Sequence, residues 1–514
     1  MKKVCENVPV ALVFLTVVGF SWIFGGASAP HLLPVMPWLW AFALETLLFF
    51  PQRRAGESLS SARERVWHAL SKDPVMYLIL SFLVVLIMPL FNSGLCAICD
   101  YPKILAGADP APPIPFSPFC VNVREHLGVV VWFVPAFTGL LAVRHALSRH
   151  GRRTLVHAFV WNGAVLAMLG FIQQATDAKA PFWIDIPNPV KYFSSFGYPN
   201  MAGAFFVALF AVSAGMWQDN VRRDVSMKHT HKKKKADGTR ETEEEKETNP
   251  NARYFPQWIK THYMLIPTAL CFFAALATLS RAAILLAFSI LGFWFIYLCL
   301  SLFTSKKNLT RVKLHFGMLV GIVLTVVLVA IFAPDDFVNE VSTVSPNAVA
   351  DRVTGKAQYH SRVATDIFRD HPIFGVGGWG YKHFCLQYMT DEDRRQIQVV
   401  GGVNVHNDYL QFLCEHGAVG AGLLLVILLI VSGKIFREWA HRIRVAHFVK
   451  DTDMPHPTAL FCVPAAVVGI LLAATANLVH AFGDCVFRSP AVLSQFMMLL
   501  AAAEGFLGED EVKK

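Results

Sequence analysis

The sequence predicts an all-α polytopic membrane protein, and three observations predict it. Of its 514 residues, 54% are hydrophobic and only 16% charged, with a mean hydropathy of +0.44; a soluble chain of this length needs far more charge to cover its surface. Apolar runs of roughly 17–25 residues, each able to cross a bilayer as a helix, recur along the whole chain. Those runs are continuous, not alternating. That selects helices over barrel strands, the two architectures that satisfy backbone polar groups in lipid.

Twelve spans follow, at 8–27, 33–51, 74–93, 127–147, 154–174, 201–218, 261–279, 281–303, 315–333, 417–433, 457–478 and 490–508. The first follows a Met-Lys-Lys start and could pass for a cleavable signal, but its length and the spans behind it make it a helix. The chain thus divides into N-terminal helices (1–218), a charged loop (219–260), helices seven to nine (261–333), one large outer loop (334–416), C-terminal helices (417–508) and a tail (509–514).

Lysine and arginine orient these spans. With the N-terminus in the cytoplasm, loops on that side hold 33 of the 46 basic residues. The other 13 lie outside, 7 of them in the long loop after Phe332. Setting aside the 11 in the charged insert leaves 22 against 13, so both termini are placed inside. The net charge of +9 follows from this bias; the partner it implies is the bilayer and not nucleic acid.

Most of the ten cysteines sit inside spans, as small hydrophobes. Cys96, Cys99 and Cys120 instead share the second outer loop, where an oxidising compartment favours a disulfide of Cys120 with Cys96 or Cys99. A zinc site lacks a convincing fourth ligand, and no cofactor is expected.

Three pieces lie off the membrane. The insert "KHTHKKKKADGTRETEEEKETNPN" buries no apolar surface and reads as a disordered linker. Residues 94–126 are proline-rich and extended. The third, 334–416, is long enough for a small fold: "HSRVATDIFRDHPIFGVGGWGYKHF" reads as a helix, a proline break after His371, then a glycine-rich turn into an aromatic helix.

Polar residues beside spans are candidates for function, because hydrocarbon cannot solvate them. Ser280-Arg281 stands between two apolar runs with almost no loop. Arg281 there either snorkels to the interface or holds a phosphate, which suits its planar, always charged fork. Arg362 and His406 belong to the long outer loop. Asp408 with Gln411 matches a capping box, and Gly417 suits a helix end. Helix initiation accounts equally for Asn407, whereas His406 contributes nothing obvious to it. "YFSSFGYPNMAG" brings Tyr198 and Asn200 to the start of the sixth span, with Asn200 as its N-cap. "NLVHAFGDCVFRSP" carries His480, Asp484 and Arg488; the first two share a face if the helix continues. An ion-paired structural cluster and a site are both open there.

In order along the chain, Gln173, "SSFGYPN", "SRAA", "HSRVATDIFRDHPIFGVGGWGYKHF", "HNDYLQFLCEHGAVG" and "LVHAFGDCVFRSP" resemble the O-antigen ligase/polymerase superfamily of bacterial membrane glycosyltransferases. The resemblance runs from about residue 160 to the end and leaves the first 150 residues and the insert uncovered. It implies a periplasmic loop above ten to fourteen helices in the inner membrane, and transfer of a glycan from undecaprenyl diphosphate to an acceptor hydroxyl without nucleotide sugar or metal. By this likeness His406, Arg281 and Arg362 are catalytic, with Asn407 following the motif histidine. The acceptor is lipid A–core for a ligase, a second lipid-linked repeat for a polymerase, or a Ser or Thr for a protein oligosaccharyltransferase; ligase is the first reading. Chemistry agrees, since arginines can neutralise a leaving diphosphate and a histidine can take the acceptor proton. A transporter would instead carry ionisable residues near the midplane, for which Glu45 and Arg144 are the main candidates.

Overall fold

The computed structural model describes residues 2–23, 25, 36–93, 114, 116–184, 191–236, 257–304, 309–332, 335–342, 356–390, 404–448 and 459–507. Among these, helices α1 (Lys2–Trp22), α2 (Met36–Leu48), α3 (Leu59–Ser71), α4 (Pro74–Ile87), α5 (Val123–Leu141) and α6 (Arg149–Ala175) come first. Then follow α7 (Pro199–Ala236), α8 (Gln257–His262), α9 (Leu265–Ala277), α10 (Arg281–Thr304), α11 (Leu309–Phe332) and α12 (Asp335–Ser342). The last five are α13 (Lys356–Asp370), α14 (Gly380–Tyr388), α15 (Asp408–Phe448), α16 (Ala465–His480) and α17 (Pro490–Leu507). Eight helices of the described residues are long and apolar enough to cross a membrane, with three shorter apolar helices beside them. The all-α, multi-pass expectation holds.

Helices α7 and α17 form the centre and are almost wholly buried along their apolar windows. Small residues let α7 approach α16: a Cβ on Gly215 would fall 2.4 Å from the Ala465 carbonyl oxygen, and one on Gly469 2.5 Å from that of Ala211. Lipid supplies no hydrophobic drive between helices, so close backbone packing of this kind holds them together. The α16 start is capped from α7, where the buried Asp219 carboxylate accepts the amides of Ala465 (2.7 Å) and Ala466 (3.0 Å).

One span runs longer than the hydropathy pattern suggests. Helix α7 continues past residue 218 to Ala236, so the first part of the charged insert is helical, not disordered. Lysine is a good helix former, and a helix already nucleated extends at little cost. Residues 237–256 of that insert lie outside the described residues. Within the 51–73 loop, Ser58 caps α3, accepting the Ser61 amide at 3.1 Å.

Of the two transporter candidates, Arg144 has a structural explanation. Arg144 pairs with Asp73 at 2.7 Å and Glu504 at 3.3 Å, and Glu504 also meets Arg152 (3.3 Å) and Lys434 (3.0 Å). These groups stand where α4 and α6 begin and where α5 and α17 finish, at the end of the bundle opposite His406. Glu45 lies half-buried in α2.

One helix is broken on purpose. At Gly417, φ is +64° and ψ is −174°, so α15 is a short helix of two turns followed by a membrane-crossing one. The segment Pro372–Gly377 lies across the break and takes its loose backbone groups. Ala418 and Val419 donate to the carbonyls of Pro372 (2.8 Å) and Ile373 (3.1 Å); Val376 and Gly377 donate to those of Cys414 (3.0 Å) and Glu415 (2.8 Å). A Cβ on Gly417 would stand 2.2 Å from the Ile373 oxygen. Gly417→Ala should therefore cost on the order of 2 kcal/mol or more, read as a lower unfolding temperature in detergent. Gly422→Ala, on the same helix with open space at its Cβ position, should leave that temperature unchanged.

Candidate functional site

Three stretches far apart in sequence converge at the end of the bundle that carries the α15 break. The start of α7 brings Tyr198 and Asn200, the start of α15 brings His406 to Glu415, and the turn between α16 and α17 brings Asp484 to Arg488. Loop helices α13 and α14 close over them around a small apolar core that includes Val363, Ile367, Val376, Tyr381, Phe384 and Val405.

Asp484 is the focus. Its Oδ1 accepts from His406 Nδ1 at 3.2 Å and from its neighbour's amide, Cys485, at 2.7 Å. Its Oδ2 accepts from the Tyr198 hydroxyl at 2.7 Å and from Asn200 Nδ2. Burial alone would raise the Asp484 carboxyl, but the hydrogen bonds and charge of His406, the Tyr198 hydroxyl and the Cys485 amide outweigh it and hold the group below its ordinary 3.8. An ionised carboxylate only accepts, so the shared proton belongs to His406 Nδ1, and in the neutral imidazole Nε2 is then the acceptor. The His406 side chain is 45% exposed while Asp484 is 6% exposed. Its backbone sits at φ +54°, in the left-handed region, a conformation that persists only where surrounding contacts impose it.

Several expectations need correction. Asn407, not Asp408, caps α15, accepting the amides of Tyr409 (3.0 Å) and Leu410 (3.1 Å). Asp408 instead spans to the α16–α17 turn: its amide donates to Ala481 O (2.9 Å) and its carboxylate accepts from Phe487 N (2.8 Å). Gln411 accepts from the Val405 amide at 3.1 Å, two residues before the Asn407 cap, so it closes no capping box. Asn200 does not cap α7 either, because that helix opens one residue earlier with Pro199 at its first position. Asn200 turns its amide on Asp484 instead. Helix α16 stops at His480, and the amides of Gly483 (3.0 Å) and Asp484 (3.1 Å) fold back onto the His480 carbonyl. The two residues do not share a helical face; His480 is buried at the helix end.

Arg488 lies one layer deeper. Its Nη2 donates to Glu415 at 2.7 Å and its guanidinium stacks 4.1 Å from the Trp379 ring centre. Burial works against that charge, yet Glu415 carries the guanidinium's pKa above its usual value. Arg488 thus ties the short helix of α15 to the glycine-rich loop and is not presented to solvent. Arg362 is exposed on α13, two residues after the buried His360, whose ring centre is 6.4 Å from that of His406. Arg281 is half-buried as the first residue of α10. Its neighbour Ser280 caps that helix and packs on Gly203, one turn along α7 from Asn200. Cys120 is a buried free thiol donating to the Pro89 carbonyl at 3.2 Å. Cys96 and Cys99 lie outside the described residues.

Sequence reasoning missed His126, His360 and Tyr381. His126 Nδ1 accepts the Gly378 amide (2.6 Å), so its Nε2 carries the proton that meets Leu86 O (2.7 Å), riveting the loop to the bundle. His360 Nδ1 meets the Tyr381 hydroxyl at 2.6 Å. No local pattern marks them, because each contact joins residues distant in sequence.

Residues 266–425 match the family model described as O-Antigen ligase. That segment holds Arg281, Arg362 and His406; the groups that surround His406, namely Tyr198, Asn200 and Asp484, lie outside it. Among curated proteins none matches the chain. The match covers 160 of the 514 residues and makes that segment similar to the O-antigen ligase family.

The pH behaviour of Asp484 gives a test. A carboxyl held low in the folded state adds stability that is complete above its ordinary 3.8 and is lost as pH falls through the lower folded value. The unfolding-temperature gap between wild type and Asp484→Asn should then persist at about pH 5 and close only below 3.8. A gap that closes at pH 6 would assign the effect to another group.

Proposed function

We propose that this chain moves a glycan from undecaprenyl diphosphate to an acceptor hydroxyl at the periplasmic face of the bacterial inner membrane, most simply as an O-antigen ligase with lipid A–core as acceptor. The observation that carries this is the His406–Asp484 pair, a free imidazole nitrogen fixed in direction at the rim of a membrane bundle.

In this reading the acceptor hydroxyl gives its proton to His406 Nε2 as its oxygen forms a bond to the anomeric carbon. The bond from that carbon to the diphosphate oxygen breaks, its electron pair leaves with the lipid diphosphate, and the centre inverts. Asp484 holds the imidazole in one tautomer and steadies the imidazolium that forms. Tyr198 and Asn200 hold Asp484 in turn. Burial and the neighbouring carboxylate push the Tyr198 phenol upward, so it stays a donor. Arg281 and Arg362 neutralise charge growing on the diphosphate, the work a preorganised cation does best away from bulk water. Asn407 positions His406 by starting the helix behind it. Arg488 and His480 act through the scaffold beneath.

The test combines variants with the cellular pool. His406→Ala should lower transfer by about 10²–10⁴-fold, and Arg281→Ala or Arg362→Ala by about 10²–10³-fold, at normal protein levels. Deleting the gene should leave lipid-linked glycan accumulating at unchanged chain length. Accumulation of single repeats would make the chain a polymerase, loss of glycan from protein a protein oligosaccharyltransferase, and an unaltered pool would end the proposal.

A further inference from the structure

Beside His406 two aromatic rings form a surface with no polar edge left to offer. Tyr409, three residues after His406, and Phe482, two before Asp484, have ring centres 4.4 Å apart at an interplanar angle of 40°. Tyr409 is 37% exposed and Phe482 64%. Two hydrogen bonds lock the arrangement. The Asp408 amide donates to Ala481 O at 2.9 Å, joining the two backbone segments, and the Tyr409 hydroxyl donates to Leu478 O at 2.7 Å, so its ring cannot swing away. The rings therefore keep a fixed offset from the His406–Asp484 pair, because they ride on the same two pieces of chain.

A membrane anchor is the competing account, and two details count against it. Interfacial belts use Trp and Tyr with a polar edge left for the headgroups. Phe482 has no such edge, and Tyr409 has committed its hydroxyl to a carbonyl. Phe482 also stands beyond the end of α16, whose C-cap is Ala481, in the turn that delivers Asp484.

We infer that Tyr409 and Phe482 form a stacking platform for a pyranose ring of the transferred glycan. This rests on the glycan-transfer reading and names a subsite within it. One face of a pyranose presents C–H groups of slight positive charge, which suits the negative face of an aromatic ring. The platform fixes the sugar plane relative to His406, and a ring held so brings its anomeric carbon to the base in one orientation.

The experiment uses the full chain in nanodiscs and the free glycan released by mild acid from the host's own lipid-linked pool. Neither lipid nor diphosphate is present, so binding is read without turnover, by saturation-transfer NMR. Wild type should bind, and Phe482→Trp should bind as well or better, with its indole emission shifting on titration. Phe482→Leu, which keeps apolar bulk but loses the flat face, should weaken binding by about three- to tenfold. Equal binding by wild type and Phe482→Leu overturns the platform while leaving the function reading intact. If no form binds the free glycan, the platform falls, while the function reading is decided separately by the cellular lipid-linked pool. Phe482 is 64% exposed, so its variants should fold, which matching unfolding temperatures would check.

Discussion

Four backbone groups at the interruption of α15 set the terms for everything above the bundle. A helix that stops and restarts leaves carbonyls at one end and amides at the other, and in a dry environment each unmatched group costs several kcal/mol. The Pro372–Gly377 segment meets two carbonyls and two amides together. It can do so only because glycine stands at the crowded positions: Gly375, Gly377 and Gly417 all have positive φ, and a Cβ at any of them would strike backbone. The loop is therefore not a lid laid over the membrane helices. It is part of the fold of α15, and the short helix behind His406 takes its direction from it.

Charge is arranged in layers beneath that joint. Glu415 and Arg488 form a pair almost sealed from solvent, of the kind that adds little net stability but is costly to split. Gln411 links Val405, Asn404 and Glu415, and Asp408 links α15 to the Phe487 amide. These polar side chains work on the scaffold. What reaches the surface beside the Tyr409 ring is one imidazole backed by one buried carboxylate, a simpler array than the density of polar residues in "HNDYLQFLCEHG" suggests.

The membrane-spanning helices were legible because hydropathy is a local sum, and twelve apolar runs correspond to helices in the structure. The glycine-rich turn flanked by two helices in the long loop was legible for the same reason, since proline and glycine act where they stand. Helix ends were less so. Asn407 and Asp408 are both good caps, and only tertiary contact decides that Asp408 is occupied elsewhere. The partnership of Asp484 with Tyr198 and Asn200 spans more than 280 positions, and no periodicity encodes it. His126 escaped notice because it looks like one more residue at the start of an apolar run, yet its two ring nitrogens join Leu86 to Gly378. The resemblance to O-antigen ligases located His406 but named no acceptor for its Nδ1 proton.

The distance between Tyr198 and Asp484 along the chain has a consequence for how the protein is made. Membrane helices enter the bilayer roughly in the order of synthesis. His406 therefore emerges with its own loop complete, but its carboxylate arrives only with the turn ahead of the final helix. Until that last hairpin is inserted, the imidazole has no fixed tautomer, Arg488 is absent from Glu415, and the short helix lacks its tether at Ala481. Residues 198 to 484 must all be made before the contacts of Asp484 with His406 and Tyr198 can form. The pair at the rim is thus completed by the α16–α17 hairpin, and the long loop that carries His406 cannot build it alone.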